Sequence, residues 1–126
     1  MIVKDETVKL DGLQPIMRHA MRWADWVWKD LGQECVITAG AESVYPEFLP
    51  NGEGHPKAFQ LIHSAGSLHP MGLALDFRTR YFDDGGDEAA DKLEFHLNHT
   101  SSYLDSGKFE VIQHKTHIHV EFEPNE

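Results

Sequence analysis

The stretch Ser67-Leu68-His69-Pro70-Met71-Gly72-Leu73-Ala74-Leu75-Asp76-Phe77-Arg78 decides how this chain is read. From Leu73 onward, apolar Leu73, Leu75 and Phe77 alternate with Ala74, Asp76 and Arg78, the period-two pattern of a strand with one face in the core. Asp76 then projects from the opposite face of the sheet. His69 falls in the turn that feeds this strand, and Gly72 gives the backbone freedom to bring both side chains toward one point.

Near the C-terminus lies a second histidine cluster, His117-Ile118-His119. Phe109 to Gln113 and His117 to Glu123 read as two strands joined by His114-Lys115-Thr116, an antiparallel hairpin. On the second strand His117, His119 and Glu121 share one face, while Ile118, Val120 and Phe122 take the other. A catalytic zinc centre uses three protein ligands of the nitrogen and oxygen kind and keeps its fourth position for water. His69, Asp76 and one histidine of the final pair supply that set. With nine histidines in the chain some clustering arises by chance, so the spacing carries more weight than the count.

Upstream, Leu13, Ile16, Met17, Ala20, Trp23, Ala24, Val27 and Leu31 follow the three-and-four spacing of an amphipathic helix, with Gly32 as its stop signal. Trp23, Trp26 and Trp28 cannot share one stripe, so at least one lies outside the main core. Glu34 to Thr38 reads as a short strand that carries Cys35, a small buried hydrophobe with no partner cysteine. From Ala39 to Gly66 periodicity disappears among Pro46, Pro50, Gly52, Gly54 and Pro56. A loop that long is either functional or disordered. It is expected to wall a cleft, with His55 and His63 available to line it. After the turn Asp83-Asp84-Gly85-Gly86, residues 87 to 98 suit a second helix with Ala90, Leu93 and Leu97 toward the core and acidic residues near its start.

Composition bounds what such a fold can do. At 126 residues and 40% hydrophobic content the chain fits one domain, residues 1–126, with a core that needs no disulfides. The expected architecture is α+β, a small, mostly antiparallel sheet with helices packed on one side and the zinc site on the open face. A net charge of -10 argues against nucleic acid and anionic membranes as partners, because phosphates reward clustered Lys and Arg. The N-terminus lacks the basic-then-apolar pattern of a secretory signal, and no run reaches the roughly 18 apolar residues of a membrane span. The chain is therefore expected to be cytoplasmic as synthesised, and a monomer.

The pattern Ser-x-His-x-x-Gly-x-Ala-x-Asp followed by His-x-His resembles the zinc metallopeptidase family of D-alanyl-D-alanine carboxypeptidases and phage L-alanyl-D-glutamate endopeptidases. Ser67, His69, Gly72, Ala74, Asp76, His117 and His119 carry the resemblance, which spans roughly Val36 to Phe122 and is closest to compact phage and prophage members. It implies one zinc ion held by His69, Asp76 and His119, with His117 helping to stabilise an oxyanion. It implies hydrolysis of amide bonds in peptidoglycan stem peptides, the cell wall being reached after release at lysis or from a virion. Charge lends this no help, because an acidic enzyme gains nothing electrostatically from an anionic envelope.

One departure from the pattern matters. The family's acidic general base generally lies three residues before the last zinc-binding histidine, and that position is Thr116. A threonine hydroxyl cannot take a proton from water at neutral pH, so Glu110, Glu121 and His114 are the substitutes in reach. His114 is preferred, since it lies three before His117. Arg78, on the same face as Asp76, is the candidate for binding a substrate carboxylate, against pairing with Asp83 or Asp84. Ser67 is expected to fix the backbone or a ligand by hydrogen bonding, because a metal that activates water needs no serine nucleophile. Three readings follow: a zinc peptidase, a zinc-binding domain of weak or lost activity in a phage structural or wall-recognition role, or a metal-free protein with surface histidines.

Overall fold

The computed structural model describes residues 1–42, 68–99 and 106–125. Within them β1 (Ile2–Val3), β2 (Val36–Ala39), β3 (Ala74–Arg78), β4 (Gly107–Gln113) and β5 (His117–Pro124) form one sheet in the order β1-β2-β3-β5-β4. Only β1 pairs in parallel, with β2; the other neighbours are antiparallel. Helices α1 (Pro15–Asp30) and α2 (Asp87–His99) pack against this sheet. The expected α+β class is what the chain adopts, with the β4–β5 hairpin where the alternation placed it.

The alternation also decides which face is dry. Leu75, Phe77, Ile118 and Val120 are fully buried together with Met17, Ala20, Ala24, Val27 and Trp28 of α1 and Leu93 and Leu97 of α2. The Trp28 ring lies 5.6 Å from that of Phe77, and its indole N–H donates to the Arg78 carbonyl at 3.0 Å. Truncating a buried Trp costs about 3–5 kcal/mol, so this residue is the chief anchor of α1 on the strand that carries Asp76. Trp26 is 51% exposed, and Trp23 stacks on His96 of α2 at 4.3 Å, which resolves the crowding of three indoles as expected. Cys35 is buried, and that burial pushes its thiol up to about 12. At neutral pH such a thiol is inert.

Element ends follow local chemistry. Pro15 opens α1, where its missing N–H leaves no hydrogen bond unmade, and Gly32, at φ +79°, lets the chain turn away after the helix. Asp84 does not reach Arg78. Its carboxylate accepts from the Gly86 and Glu88 backbone N–H groups at 2.8 and 3.0 Å, capping α2. Asn98 of α2 donates to the Phe109 carbonyl and accepts from the Phe109 N–H, which satisfies part of the free edge of β4 and fixes the hairpin against the helix.

The N-terminal segment, silent in the periodicity, acts as a strap. The Ala41 N–H donates to the Lys9 carbonyl at 2.6 Å, and the Gln14 N–H donates to the Gly72 carbonyl at 3.0 Å. The Gln14 side chain adds a bond to the Met71 carbonyl at 3.0 Å. One stretch therefore ties the exit of β2 to the turn that bears His69. The loop expected to wall a cleft, with His55 and His63, lies outside the described residues beyond Glu42, as does Ser67. Among the described residues no helix is long and apolar enough to cross a membrane.

Candidate metal centre

Antiparallel pairing sets Asp76 of β3 directly opposite His119 of β5, and Arg78 opposite His117. Opposed residues share a face of the sheet, and these four stand on the side away from the Phe77–Ile118 core. His69 arrives from the short 3-10 turn His69–Met71, which ends at Gly72 with φ +73° and leads straight into β3. The turn thus delivers an imidazole to the carboxylate on the strand it feeds.

The three groups meet. His69 Nε2 lies 3.3 Å from Asp76 Oδ2, and His119 Nδ1 lies 2.8 Å from Asp76 Oδ1. Ligand atoms of His69, Asp76 and His119 all fall within 4.8 Å of one another, close enough to hold a metal ion. Tetrahedral coordination with bonds of 2.0–2.1 Å separates ligand atoms by roughly 3.3 Å, so the set fits with small side-chain adjustments. His117 is left out of the set, its Nε2 standing 4.0 Å from Asp76 Oδ2.

Surrounding groups select the ring nitrogens that face the centre. His69 Nδ1 donates to the Gly40 carbonyl at 2.7 Å, which leaves Nε2 as the nitrogen that faces Asp76. His119 Nε2 is 3.0 Å from Glu121 Oε1, so Nδ1 is the atom offered to a metal. A carbonyl or carboxylate behind each imidazole is the usual way such ligands are oriented and made more basic. Glu121, one of the substitutes considered for the general base, is engaged in that orienting task.

Electrostatics follow from the contacts. Burial is the largest single influence on Asp76 and pushes its carboxyl up, but the hydrogen bonds and charges of His119 and His69 together hold it far below the usual carboxylate range. Burial likewise presses His119 down, while Asp76 and Glu121 outweigh it and raise the imidazole above its ordinary value. His117 is lowered, chiefly by burial and further by the neighbouring histidines, against an upward pull from Asp76. In the metal-free protein a proton on His119 does part of what a cation would do.

That proton gives a pH signature. The depressed Asp76 contributes stability that is present above its ordinary value of 3.8 and lost as pH falls through its folded value. The raised His119 contributes stability that is full below its ordinary value of 6.5 and lost as pH rises through its folded value. The metal-free wild type should therefore exceed Asp76→Asn in Tm most between those ordinary values, 3.8 and 6.5. Affinity for a metal ion at this group should change the opposite way, weakening on acidification as His119 holds its proton. Thermal melts in chelator from pH 4 to 8 check this; a margin that widens steadily toward pH 8 would contradict it.

The remaining candidates occupy a rim. His117 Nδ1 is 3.2 Å from the Thr116 hydroxyl, and the His117 ring stacks on His114 at 4.7 Å. His114 lies farther out, 6.4 Å from the His119 ring. Arg78 makes no ion pair among the described residues, and its Cα partner His117 places it beside this rim. Gly40 and Glu42 escaped the sequence reading. The only cue was a glycine just past a strand, which marks close backbone approach, but its neighbour Lys9 is remote in sequence. The chain matches no protein-family model, no curated protein and no solved structure, so function has to be argued from the site.

Proposed function

We propose that this chain is a zinc peptidase domain that hydrolyses amide bonds in peptidoglycan stem peptides, of the D-Ala-D-Ala carboxypeptidase or L-Ala-D-Glu endopeptidase type. The observation that carries the reading is the convergence of His69 Nε2, Asp76 and His119 Nδ1 on the face of the sheet opposite the Phe77–Ile118 core. Two imidazoles and a carboxylate suit zinc, with one position left for water, whereas magnesium and calcium favour all-oxygen sets. When bound, zinc would supply Lewis-acid polarisation of a carbonyl and water of lowered pKa.

The chain's own residues divide the remaining work. With the Thr116 hydroxyl as hydrogen-bond donor to His117 Nδ1, 3.2 Å away, His117 Nε2–H would face the centre as a donor to the oxygen on which charge develops. Such a donor is worth about 3–4 kcal/mol of barrier. His114, stacked behind His117, is the preferred group to carry the proton between water and the leaving amine, ahead of Glu110, which stands on β4 opposite Glu121. Arg78 offers a cation for a peptide carboxylate.

One observation favours a second reading, a domain of weak or lost activity. Among the described residues Asp76 and Glu121 are the carboxylates beside the centre, and both are engaged with His119. The test is digestion of purified peptidoglycan by zinc-loaded protein with and without a chelator, products being identified by mass. Release of stem-peptide fragments that stops with the chelator is expected. Zinc bound in one equivalent with no fragment released would leave only the weakened domain, and a Thr116→Asp variant that then gained hydrolysis would identify the missing base.

A further inference from the structure

Glu42 is the buried carboxylate that the proposed chemistry does not use. It is only 6% exposed, and burying a carboxylate is costly unless hydrogen bonds compensate. One oxygen accepts from two backbone groups, the Gly40 N–H at 2.6 Å and the Lys9 N–H at 2.8 Å. Both lie at the crossing of the N-terminal strap and the exit of β2. There the backbones run so close that a Cβ on Gly40 would sit 2.3 Å from the Lys9 carbonyl oxygen. Gly40 is thus held on both sides: Glu42 takes its N–H, the next N–H, that of Ala41, donates to the Lys9 carbonyl at 2.6 Å, and between them the Gly40 carbonyl takes the Nδ1 proton of His69 at 2.7 Å.

We infer that Glu42 is a positioning residue for the metal centre: through Gly40 it fixes the ring and the tautomer of His69. The inference rests on the metal-site reading above and adds to it the device that presets its most buried ligand. His69 is 3% exposed and sits on a short turn, so the partner given to each ring nitrogen decides which one faces the metal. A neutral imidazole carries its proton on one nitrogen, and the hydrogen bond made there decides which lone pair is left for a metal. A carbonyl that cannot move therefore selects Nε2. Glu42 touches neither metal nor substrate, so its effect is on affinity and geometry rather than on a chemical step.

The test compares wild type with Glu42→Ala, Glu42→Asp and Glu42→Gln as purified full chains. Zinc affinity is read by competition with a chromophoric chelator, the visible spectrum of the cobalt(II) form reports geometry, and nitrogen-15 imidazole spectra of the metal-free protein report the His69 tautomer. Glu42→Ala should lose about 10–100-fold in zinc affinity, the range for outer-shell partners of a metal-binding histidine, with a changed cobalt spectrum and a mixed His69 tautomer. Glu42→Gln keeps an acceptor oxygen and should restore the cobalt spectrum. If Glu42→Ala fails to fold, Glu42→Asp decides, because its shortened arm should still weaken zinc binding. Wild-type affinity and cobalt spectrum in a folded Glu42→Ala or Glu42→Asp would overturn the positioning role alone. A wild type that binds neither zinc nor cobalt would overturn the metal site and this role together.

Discussion

Asp76→Asn should abolish tight zinc binding and, with it, peptide hydrolysis, while the domain stays folded. The carboxylate is the hub of the centre, within 3.3 Å of His69 and 2.8 Å of His119, and its charge is what makes two imidazoles and a cation compatible. Asparagine preserves the shape and one acceptor oxygen but not the charge. Loss of an outer-shell partner alone costs about 10–100-fold in metal affinity, so removal of an anionic ligand should exceed 100-fold. Stability should suffer less, because asparagine keeps the side chain's shape, while the fully buried contacts of β3 come from its neighbours Leu75 and Phe77.

The neighbouring imidazoles provide a readout that does not depend on activity. In the wild type Asp76 and Glu121 hold His119 above its ordinary value against the downward pressure of burial. Without the Asp76 charge that pressure gains ground, so the His119 imidazole should lose its proton at lower pH in the variant than in the metal-free wild type. A proton NMR titration of both proteins measures the change. Retention of stoichiometric zinc by Asp76→Asn in dialysed samples, with His119 titrating as before, would place the metal somewhere else and remove the basis for the peptidase.

What the sequence disclosed, and what it hid, divides along a physical line. Period-two alternation in Leu73–Arg78 and His117–Glu123 carried both the strands and the facing of Asp76 and His119, because a side chain's face is fixed by parity alone. The register that sets those two residues opposite each other was not in either strand; it comes from the pairing of segments far apart in the chain. The two-residue β1 was invisible for a related reason. Its Ile2 and Val3 are exposed, and it is held by backbone bonds from Ile2 to Cys35 and from Lys4 to Ile37, so no hydrophobic period marks it. Gly40 and Glu42 were missed because their partners are backbone atoms of Lys9 and the ring of His69, and backbone acceptors leave no signature in residue type. The wall expected from residues 39 to 66 falls largely beyond the described residues, so it informs neither the site nor its substrate.

Among the glycines of the described residues, Gly72→Ala should be the most damaging substitution. The residue has φ +73°, where a Cβ costs about 1–2 kcal/mol in any setting. Here the added carbon would also sit 2.0 Å from the Gly12 carbonyl oxygen and 3.1 Å from the Gln14 backbone nitrogen. Neither is the end of a flexible side chain, so the strap itself must lift, and the Gln14 N–H to Gly72 carbonyl bond is lost with it. Together these terms amount to about 2–4 kcal/mol, a drop in Tm on the order of 10 °C for a domain of this size. Gly32 is the matched control, with φ +79° and nothing within 4 Å of where its Cβ would lie. Gly32→Ala should cost only the backbone penalty and leave zinc affinity untouched. Gly72→Ala should weaken zinc binding as well, because Gly72 joins the turn that carries His69 to the strand that carries Asp76, and a displacement near 1 Å is enough to spoil a preorganised site. Thermal melts and chelator competition on the two variants measure both effects. Equal destabilisation by the two alanines, with zinc binding unchanged in each, would mean that the strap does not hold the metal-binding turn in place.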